Sequence, residues 1–238
     1  MSARFIGVGV GPGDPELITL KAARLIREAD VVGYVTNPKG ESQARGIAAD
    51  VLAESKAGQR ELPVTLPMTE GREQANQAYD EAASAISAAL EAGKQVVFLC
   101  EGDPLFFGSF TYLLIRLEGA HDCGVVPGIS SVNAASSTLG MPLTVLDESF
   151  AVISGRHDEA RLKHALDTHD SVVIMKAGQA RPRILAALEA SGRIADARYL
   201  EYIGRENQWV ETDVTRLPNE AGPYFSLFVV TRNDRRLR

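Results

Sequence analysis

The sequence contains only two cysteines, Cys100 and Cys123. They form no CxxC pair and do not have the spacing of a zinc site, so we expect both to be reduced. Long apolar runs are also missing, and none approaches the ~20 residues of a membrane-spanning helix. The apolar run at residues 5–10 is too short, and too rich in glycine, for the hydrophobic region of a secretion signal. We therefore expect a soluble, cytoplasmic protein with no membrane partner.

The chain also lacks an excess of positive charge. It has 25 lysines and arginines against 31 aspartates and glutamates, which gives a formal net charge of −6. A surface that binds duplex nucleic acid needs clustered Lys and Arg, so nucleic acid is not expected as a partner. The spacings among His157, His164 and His169 match no common ligand motif, and we expect no metal site.

The remaining composition is that of a globular protein with one or two domains. The composition, 45% hydrophobic and 24% charged, is globular, and a length of 238 residues is enough for two lobes that each bury a core. Strand and helix patterns alternate through the first lobe, and this alternation predicts a mostly parallel sheet. The pattern breaks near residues 140–142, and a second set of elements follows. We therefore predict an α/β fold with two lobes, residues 1–145 and 146–238.

Apolar spacing along the chain predicts the individual elements. The expected strands are 5–10, 31–35, 95–100, 123–126, 150–153, 171–175, 197–203, 209–212 and 224–231. The last two have the alternation of paired antiparallel strands, which predicts a mixed second sheet. The expected helices are one ending at Ala29, 42–55, one from Thr69 that stops before Gly93, 105–117, 130–139, 159–166 and 182–190. Either Asp14 or Thr19 caps the first helix.

A glycine-rich loop, residues 7–14 (GVGVGPGD), lies between the first strand and the first helix. Bare backbone at such a position can approach a ligand closely. The loop does not follow the GxGxxG pattern, because Pro12 or Asp14 occupies the position of the last glycine. No acidic residue follows the second strand, where the sequence is TNP at 36–38. An NAD site is therefore rejected, and the remaining alternatives are another ligand loop or a simple chain reversal.

Two further loops of similar composition follow the third and fourth expected strands. They are Glu101-Gly102-Asp103-Pro104 and Pro127-Gly128-Ile129-Ser130-Ser131. The carboxyl ends of parallel strands share one edge of a sheet, where ligands of open α/β folds bind. The three loops therefore predict one shared crevice. Alternatively, Asp103 caps a helix that has Pro104 at its first position.

These three loops, in this order and spacing, resemble the S-adenosylmethionine-dependent tetrapyrrole methylases that act on uroporphyrinogen and precorrins. The resemblance covers nearly the whole chain and is strongest in GVGPGDPELITLKA (9–22), EGDP (101–104) and VPGISS (126–131). The segments EGDPLFFGSF (101–110), VVIMK (172–176) and YFS (224–226) look most like precorrin-2 C-20 methyltransferases. The uroporphyrinogen enzymes usually have GGDP where this chain has EGDP.

The resemblance implies two α/β lobes with S-adenosylmethionine, tightly bent, in the cleft between them. It also implies a homodimer and methylation of C-20 of a tetrapyrrole substrate, precorrin-2 or cobalt-factor II, in cobalamin biosynthesis. The positions that match the family's cofactor-binding residues are Pro12, Glu101, Gly102, Asp103, Phe106, Ser130, Ser131, Met175 and Gly204. The positions that would border the trough for the macrocycle are Gly11, Gly13 and Asp14.

Methyl transfer from a sulfonium depends mainly on the positions of donor and acceptor, so neither a nucleophilic side chain nor a metal is required. A base could remove a ring proton; Asp14 and Asp103 are candidates by location, although helix capping is the favoured role of both. The substrate's carboxylates would suit basic partners, and the candidates are Arg45, Arg72, Lys176 and Arg205. The alternative functions are methylation at C-11, at C-17 or of uroporphyrinogen III, diphthine synthesis, and nucleotide binding without catalysis.

Overall fold

The computed structural model describes residues 3–67 and 72–232. The chain forms two compact α/β units, Met1–Ser131 and Val132–Arg238. The segment 132–145, which the sequence assigns to the first lobe, groups with the second unit. Within the described part of the chain, no helix has the length and apolar character of a membrane span.

The first unit is built on a parallel five-stranded sheet. Its strands are β1 (Phe5–Gly9), β2 (Val31–Thr36), β3 (Arg60–Thr65), β4 (Val96–Cys100) and β5 (Cys123–Val126), in the order β3-β2-β4-β1-β5. Every strand pair in this sheet is parallel, which confirms the predicted sheet type. Strand β3 was not predicted. It is an edge strand that contains Pro63 and buries only Val64, so it lacks a strong hydrophobic pattern.

Helices cover both faces of this sheet. They are α1 (Leu20–Glu28), α2 (Gln43–Ile47), α3 (Ala49–Ala53), α4 (Arg72–Glu91) and α5 (Phe110–Leu117). Strand β4 is buried along its whole length, and its alternate residues face opposite ways. Phe98 packs in one apolar cluster with Phe5 and Phe110, whereas Leu99 packs in another with Val8 and Ile26. Burial on both faces explains the continuous apolar runs of the central strands.

The helix starts partly follow the predicted capping signals. Asp14 caps a single 3-10 turn, Pro15–Leu17, and Thr19 then caps α1, so both proposed caps are used. The predicted helix 42–55 is instead two short helices, α2 and α3. Thr69, the predicted start of the next helix, lies outside the described residues. That helix ends before Gly93, whose φ of +75° suits the glycine that was predicted there.

The second unit contains a mixed five-stranded sheet. Its elements are α6 (Ser131–Leu139, which begins at the unit boundary), β6 (Phe150–Ser154), α7 (Glu159–Thr168), β7 (Ser171–Met175), α8 (Arg181–Ala190), β8 (Ala197–Glu201), β9 (Trp209–Glu211) and β10 (Ser226–Thr231). The strand order is β6-β7-β10-β8-β9. The mixed sheet is confirmed, but β9 and β10 do not pair with each other as predicted. Each pairs antiparallel with β8, from opposite sides.

The core of the second unit lies between this sheet and helices α7 and α8. Tyr199 and Phe228 are fully buried, with their ring centroids 4.8 Å apart. Leu162 of α7 and Ile184 of α8 belong to the same cluster. Strand β10 is antiparallel to both β7 and β8, so β7 and β8 run in the same direction. Their carboxyl ends therefore lie at one edge of the sheet.

Candidate functional site

In the first unit, the three loops predicted to form a crevice are joined to one another. The backbone N–H of Gly102 donates to the carbonyl oxygen of Gly11 at 2.8 Å, which ties the loop after β4 to the loop after β1. The Asp103 carboxylate accepts from the N–H of Gly128 at 3.1 Å, which ties it to the loop after β5. These two bonds bring the three loops together at the carboxyl edge of the sheet.

Glycine is required where these loops meet. A Cβ atom on Gly9 would lie 2.5 Å from the carbonyl oxygen of Gly102 and 2.5 Å from the Cα of Gly128. A Cβ on Gly128 would collide with the same carbonyl oxygen. The sequence predicts that the bare backbone of the first loop leaves room for a ligand. In the structure, the room left by Gly9 and Gly128 is taken up by the backbone of the neighbouring loops.

The first loop is held in an unusual backbone conformation. Gly11 has φ +81°, and Gly102, its hydrogen-bond partner, has φ +63°; both values are in the region that favours glycine. Pro12 is buried, and Gly13 and Asp14 are half-buried. One carboxylate oxygen of Asp14 accepts from the N–H of Glu16 at 2.8 Å. Asp14 therefore has the capping role that the sequence analysis favoured.

The loop after β4 is a compact turn. The Asp103 carboxylate accepts from the N–H of Leu105 at 2.9 Å, and the Asp103 carbonyl accepts from Phe106 at 3.3 Å. The predicted helix from residue 105 is wrong at its start, because α5 begins only at Phe110. Phe107 has φ +57°, and a side chain on Gly108 would collide with the carbonyl of Pro104. This conformation interrupts any helix and leaves Phe106 half-buried beside the strand end.

The other candidates of the first unit lie in the same place. Glu101 directly follows β4 and is half-buried. Ser130 lies next to Gly102, because a Cβ on Gly102 would be 3.7 Å from the Cα of Ser130. Ser131 is the first residue of α6. The structure thus places the candidates of the first unit on three adjoining loops.

Met175 and Gly204, the remaining cofactor candidates, lie in the second unit. Met175 ends β7, between Ser154 of β6 and Leu227 of β10, and is half-buried. Gly204, with φ +76°, lies in the turn after β8, where its N–H donates to Gln208 Oε1 at 2.8 Å. Met175 is the last residue of β7 and Gly204 follows β8; because these strands run in the same direction, both residues lie at the same edge of the second sheet.

Aromatic side chains surround the turn that contains Gly204. The N–H of Tyr202 donates to the carbonyl of Phe225 at 2.9 Å, and Tyr202 has φ +50°. The Arg205 guanidinium lies 4.1 Å from the centroid of the Phe225 ring, which is a cation–π contact. Tyr224 is exposed and meets the Phe225 ring edge to face. The backbone of Tyr202 therefore joins this turn to Phe225.

Of the basic residues proposed for substrate carboxylates, Arg45 is already engaged. Its Nε and Nη2 donate to the two oxygens of Glu61 at 2.7 and 2.8 Å. The Tyr34 hydroxyl also donates to Glu61. The hydrogen bonds from Arg45, more than the one from Tyr34, lower the pKa of Glu61. The sequence could not show this cluster, because Glu61 lies on the strand that was not predicted.

The other basic candidates differ in their surroundings. The side chain of Arg72 lies outside the described residues. Lys176, which follows β7, is half-buried and has φ +57°. Its pKa is lowered by burial and, to a smaller extent, by the positive charge of Arg156. Lys176 is therefore a cation in an unfavourable environment at the edge that carries Met175.

Cys100 is the last residue of β4, and Cys123 is the first residue of β5. Cys100 and Cys123 are both free, and burial raises the pKa of each thiol. In residues 3–67 and 72–232, no three His, Cys, Asp or Glu residues are grouped as a metal site would require.

Comparison with known proteins gives a consistent family. Residues 4–218 match the family described as Tetrapyrrole (Corrin/Porphyrin) Methylases. The precorrin-2 C(20)-methyltransferase of a Sinorhizobium species is 38% identical over 235 residues, which cover 95% of this chain and 94% of that relative. The cobalt-precorrin-2 C(20)-methyltransferase of Salmonella typhimurium is 32% identical, with 98% of each chain covered.

A longer relative and a solved structure extend this comparison. Cobalamin biosynthesis protein CobIJ of Mycobacterium tuberculosis is 39% identical over 99% of this chain, and the chain spans about half, 48%, of the length of that relative. Uroporphyrin-III C-methyl transferase from Thermus thermophilus, complexed with S-adenyl homocysteine, is similar in structure with a TM-score of 0.70 and 25% identity. That comparison covers 97% of this chain and 98% of the other. From its glycine-rich strand-end loops to its second sheet, the chain belongs to the tetrapyrrole methylase family.

Proposed function

We propose that this chain transfers a methyl group from S-adenosylmethionine to C-20 of precorrin-2, or of its cobalt-containing counterpart, in cobalamin biosynthesis. The interlocked loops after β1, β4 and β5 carry the proposal, because they hold the family's motifs in one place. The choice of C-20 is supported by the full-length relatives that bear this name. It is also supported by the glutamate at 101, where uroporphyrinogen enzymes usually have glycine.

The residues of these loops fit the proposed cofactor. S-adenosylmethionine carries an ammonium and a sulfonium charge, which suit the carboxylates of Glu101 and Asp103. Its ribose and carboxylate groups suit the hydroxyls of Ser130 and Ser131. The full set of proposed cofactor contacts comprises Pro12, Glu101, Gly102, Asp103, Phe106, Ser130, Ser131, Met175 and Gly204. The proposed border of the substrate trough comprises Gly11, Gly13 and Asp14.

The chemistry requires positioning more than reactive side chains. S-adenosylmethionine supplies, when bound, a methyl group already activated by a positively charged sulfur. The chain's part is to hold donor and acceptor in near-attack geometry, which can contribute several kcal/mol to the lowering of a barrier. Asp103 serves this by fixing the second loop against the third. We do not assign Asp14 or Asp103 as a base, because both carboxylates accept hydrogen bonds from the backbone.

The experiment that tests this function offers the purified protein several tetrapyrroles. Precorrin-2, its cobalt-containing counterpart and uroporphyrinogen III are each incubated with S-adenosylmethionine under anaerobic conditions, and the products are followed by mass spectrometry. We expect the mass of one methyl group to be added to precorrin-2 or to the cobalt compound. Methylation of uroporphyrinogen III alone would contradict the proposal and would favour the uroporphyrinogen branch. A later precorrin as the only substrate would favour C-11 or C-17.

The family resemblance also supports a homodimer as a proposal. Helix α5 exposes two large apolar side chains, Tyr112 at 45% and Ile115 at 64%, and Leu105 and Phe107 are exposed nearby in sequence. A contiguous exposed apolar patch often marks an interface between proteins. Sedimentation equilibrium should give twice the mass of the chain, and a stable monomer would contradict the proposal. We propose a cytoplasmic location as well, and cell fractionation would test it.

A further inference from the structure

Two basic residues, Arg156 and Lys176, follow the ends of two paired strands at the carboxyl edge of the second sheet. Strands β6 and β7 are parallel, and their last residues, Ser154 and Met175, are paired. The N–H of Gly155 donates to the carbonyl of Met175 at 2.7 Å, so the segments that follow the two strands are still joined by a hydrogen bond. Lys176 directly follows Met175, and Arg156 lies two residues after Ser154.

The backbone at this corner is tightly constrained. A Cβ on Gly155 would lie 3.0 Å from the carbonyl oxygen of Lys176 and 3.2 Å from that of Met175. The Arg183 guanidinium donates to the carbonyl of Gly155 at 2.8 Å and holds the turn from α8. The corner is therefore fixed from both the sheet and the helix.

Lys176 is held there in a conformation that lysine rarely adopts. Its φ of +57° is in the left-handed region, which is unfavourable for any residue with a Cβ atom. Glycine would avoid this cost, and the chain has glycine at many other left-handed positions. A strained backbone that keeps a charged side chain is typical of a site where the side chain itself has a function.

The electrostatic surroundings point to an anionic ligand. Burial lowers the pKa of Lys176, and the positive charge of Arg156 lowers it further. A carboxylate bound at this corner would act in the opposite direction, because an opposite charge favours the protonated amine. A guanidinium and an ammonium on adjoining turns can donate several hydrogen bonds to one carboxylate.

We propose that Arg156 and Lys176 together bind a carboxylate of a ligand of this enzyme, an inference that rests on the proposed function. That function offers two sources of the carboxylate: the acidic side chains of the tetrapyrrole and the amino-acid part of S-adenosylmethionine. Lys176 directly follows Met175, a proposed cofactor contact, so the pair lies next to residues already assigned to ligand binding. The two sources can be separated by binding measurements that require no catalysis.

The test measures binding by the intact protein and by three charge-removing variants, Lys176→Met, Arg156→Met and the double variant. S-adenosylhomocysteine is titrated by calorimetry, and uroporphyrin III, a stable polycarboxylate tetrapyrrole, by fluorescence. We expect each single variant to weaken the binding of one of these probes about tenfold or more. Weaker binding of uroporphyrin III alone assigns the tetrapyrrole, and weaker binding of S-adenosylhomocysteine alone assigns the amino-acid carboxylate. Unchanged binding of both probes would overturn the proposal.

Three control variants separate binding from folding and from net charge. Lys163→Met removes a positive charge from α7, where Lys163 pairs with Asp167, and should leave both affinities unchanged. Lys176→Arg keeps the charge and should keep most of the affinity. Lys176→Gly removes the ammonium and the backbone strain together. It should melt no lower than the wild type and yet bind as weakly as Lys176→Met; normal binding by this variant would overturn the proposal.

The methylation assay on the wild type distinguishes this inference from the proposed function. If no tetrapyrrole is methylated but the variants lose affinity for a probe, the proposed reaction fails and the carboxylate site stands. If the wild type methylates precorrin-2 and the variants bind both probes normally, the carboxylate site fails and the reaction stands.

Discussion

The carboxylate of Asp103 accepts a hydrogen bond from the backbone N–H of Gly128 at 3.1 Å. This bond joins loops that are 25 residues apart in the chain, at the end of two strands that do not pair with each other. The other carboxylate oxygen of Asp103 accepts from the N–H of Leu105 at 2.9 Å. One side chain thus determines both the shape of its own loop and the position of the next.

Replacing Asp103 should therefore affect both stability and ligand binding. Asp103→Ala removes both acceptors, and we expect the free energy of unfolding to fall by about 1–3 kcal/mol, the cost of leaving the partly buried N–H of Gly128 without a partner. Binding of S-adenosylhomocysteine should weaken as well. Urea denaturation and calorimetry measure the two effects. Asp122→Ala is the matched control, because its pair with Arg4 is about half exposed and should contribute little; equal effects of the two substitutions would contradict the assigned role.

The close contact of the loop backbones predicts a strong effect of one added methyl group. In Gly9→Ala, the new Cβ would lie 2.5 Å from two backbone atoms of neighbouring loops. We expect a loss of about 1–3 kcal/mol of stability, because backbone cannot move aside as a flexible side chain can. Gly119→Ala provides the comparison, since nothing lies within 4 Å of a Cβ there. Thermal melting of the two variants should differ clearly, and a Gly9→Ala protein as stable as the Gly119→Ala protein would count against the described packing.

Arg45 is a sequence-based candidate for binding substrate carboxylates. Because Arg45 pairs with Glu61 in the structure, we predict that it does not bind the substrate. Arg45→Met should leave the affinity for uroporphyrin III unchanged. A tenfold loss of that affinity would show that Arg45 contacts the ligand in spite of Glu61.

The same pair gives a pH dependence with a defined sign. Arg45 holds the pKa of Glu61 below its ordinary value of 4.5, so the folded state binds the proton less readily than the unfolded state. The stabilisation is present above this ordinary value and is lost as the pH falls through the lower, folded pKa. The pair is more than a third exposed, and its contribution should be below about 1 kcal/mol. The difference in unfolding free energy between wild type and Glu61→Gln should shrink below about pH 4.5; a difference that grows on acidification would contradict this sign.

The second unit contains a buried arginine whose loss should be costly. Arg181 is only 4% exposed, donates to the carbonyl of Glu220 at 2.8 Å and lies 3.8 Å from the Glu201 carboxylate. Arg181→Met should destabilise the fold by about 3–5 kcal/mol, because Glu201 would be left as a poorly solvated, unpaired charge. Arg24→Met is a suitable control, since that arginine lies on the surface of α1 and pairs with Glu28 in solvent. Equal urea midpoints for the two variants would disprove the structural role of Arg181.

The sequence was sufficient to predict elements whose hydrophobic signal is local. Strands β1, β4 and β7 are short apolar runs, and Asp14, Thr19 and Gly93 mark helix ends by rules that act over a single turn. Strand β3 was missed because an edge strand with Pro63 buries little surface. The pairing of β9 and β10 was wrong because neighbours in the chain need not be neighbours in a sheet, and here β8 lies between them.

In the candidate site, too, local sequence signals could be used for prediction and long-range contacts could not. Its residues after β1, β4 and β5 could be located because the glycine and proline motifs fall at strand ends. Three features could not be predicted from the sequence: the bond between Asp103 and Gly128, the left-handed backbone of Lys176, and the ion pair of Arg45 with Glu61. Each depends on contacts between residues that are distant in the chain, or on a backbone angle that lysine seldom adopts.

The most direct test of the account is the position of the transferred methyl group. Precorrin-2 and its cobalt-containing counterpart are each incubated with the purified protein and S-adenosylmethionine labelled with carbon-13 in its methyl group, and the product is examined by NMR. The account predicts one labelled methyl group, attached to C-20. A labelled methyl group on another carbon, or no transfer to either compound by folded protein, would contradict it.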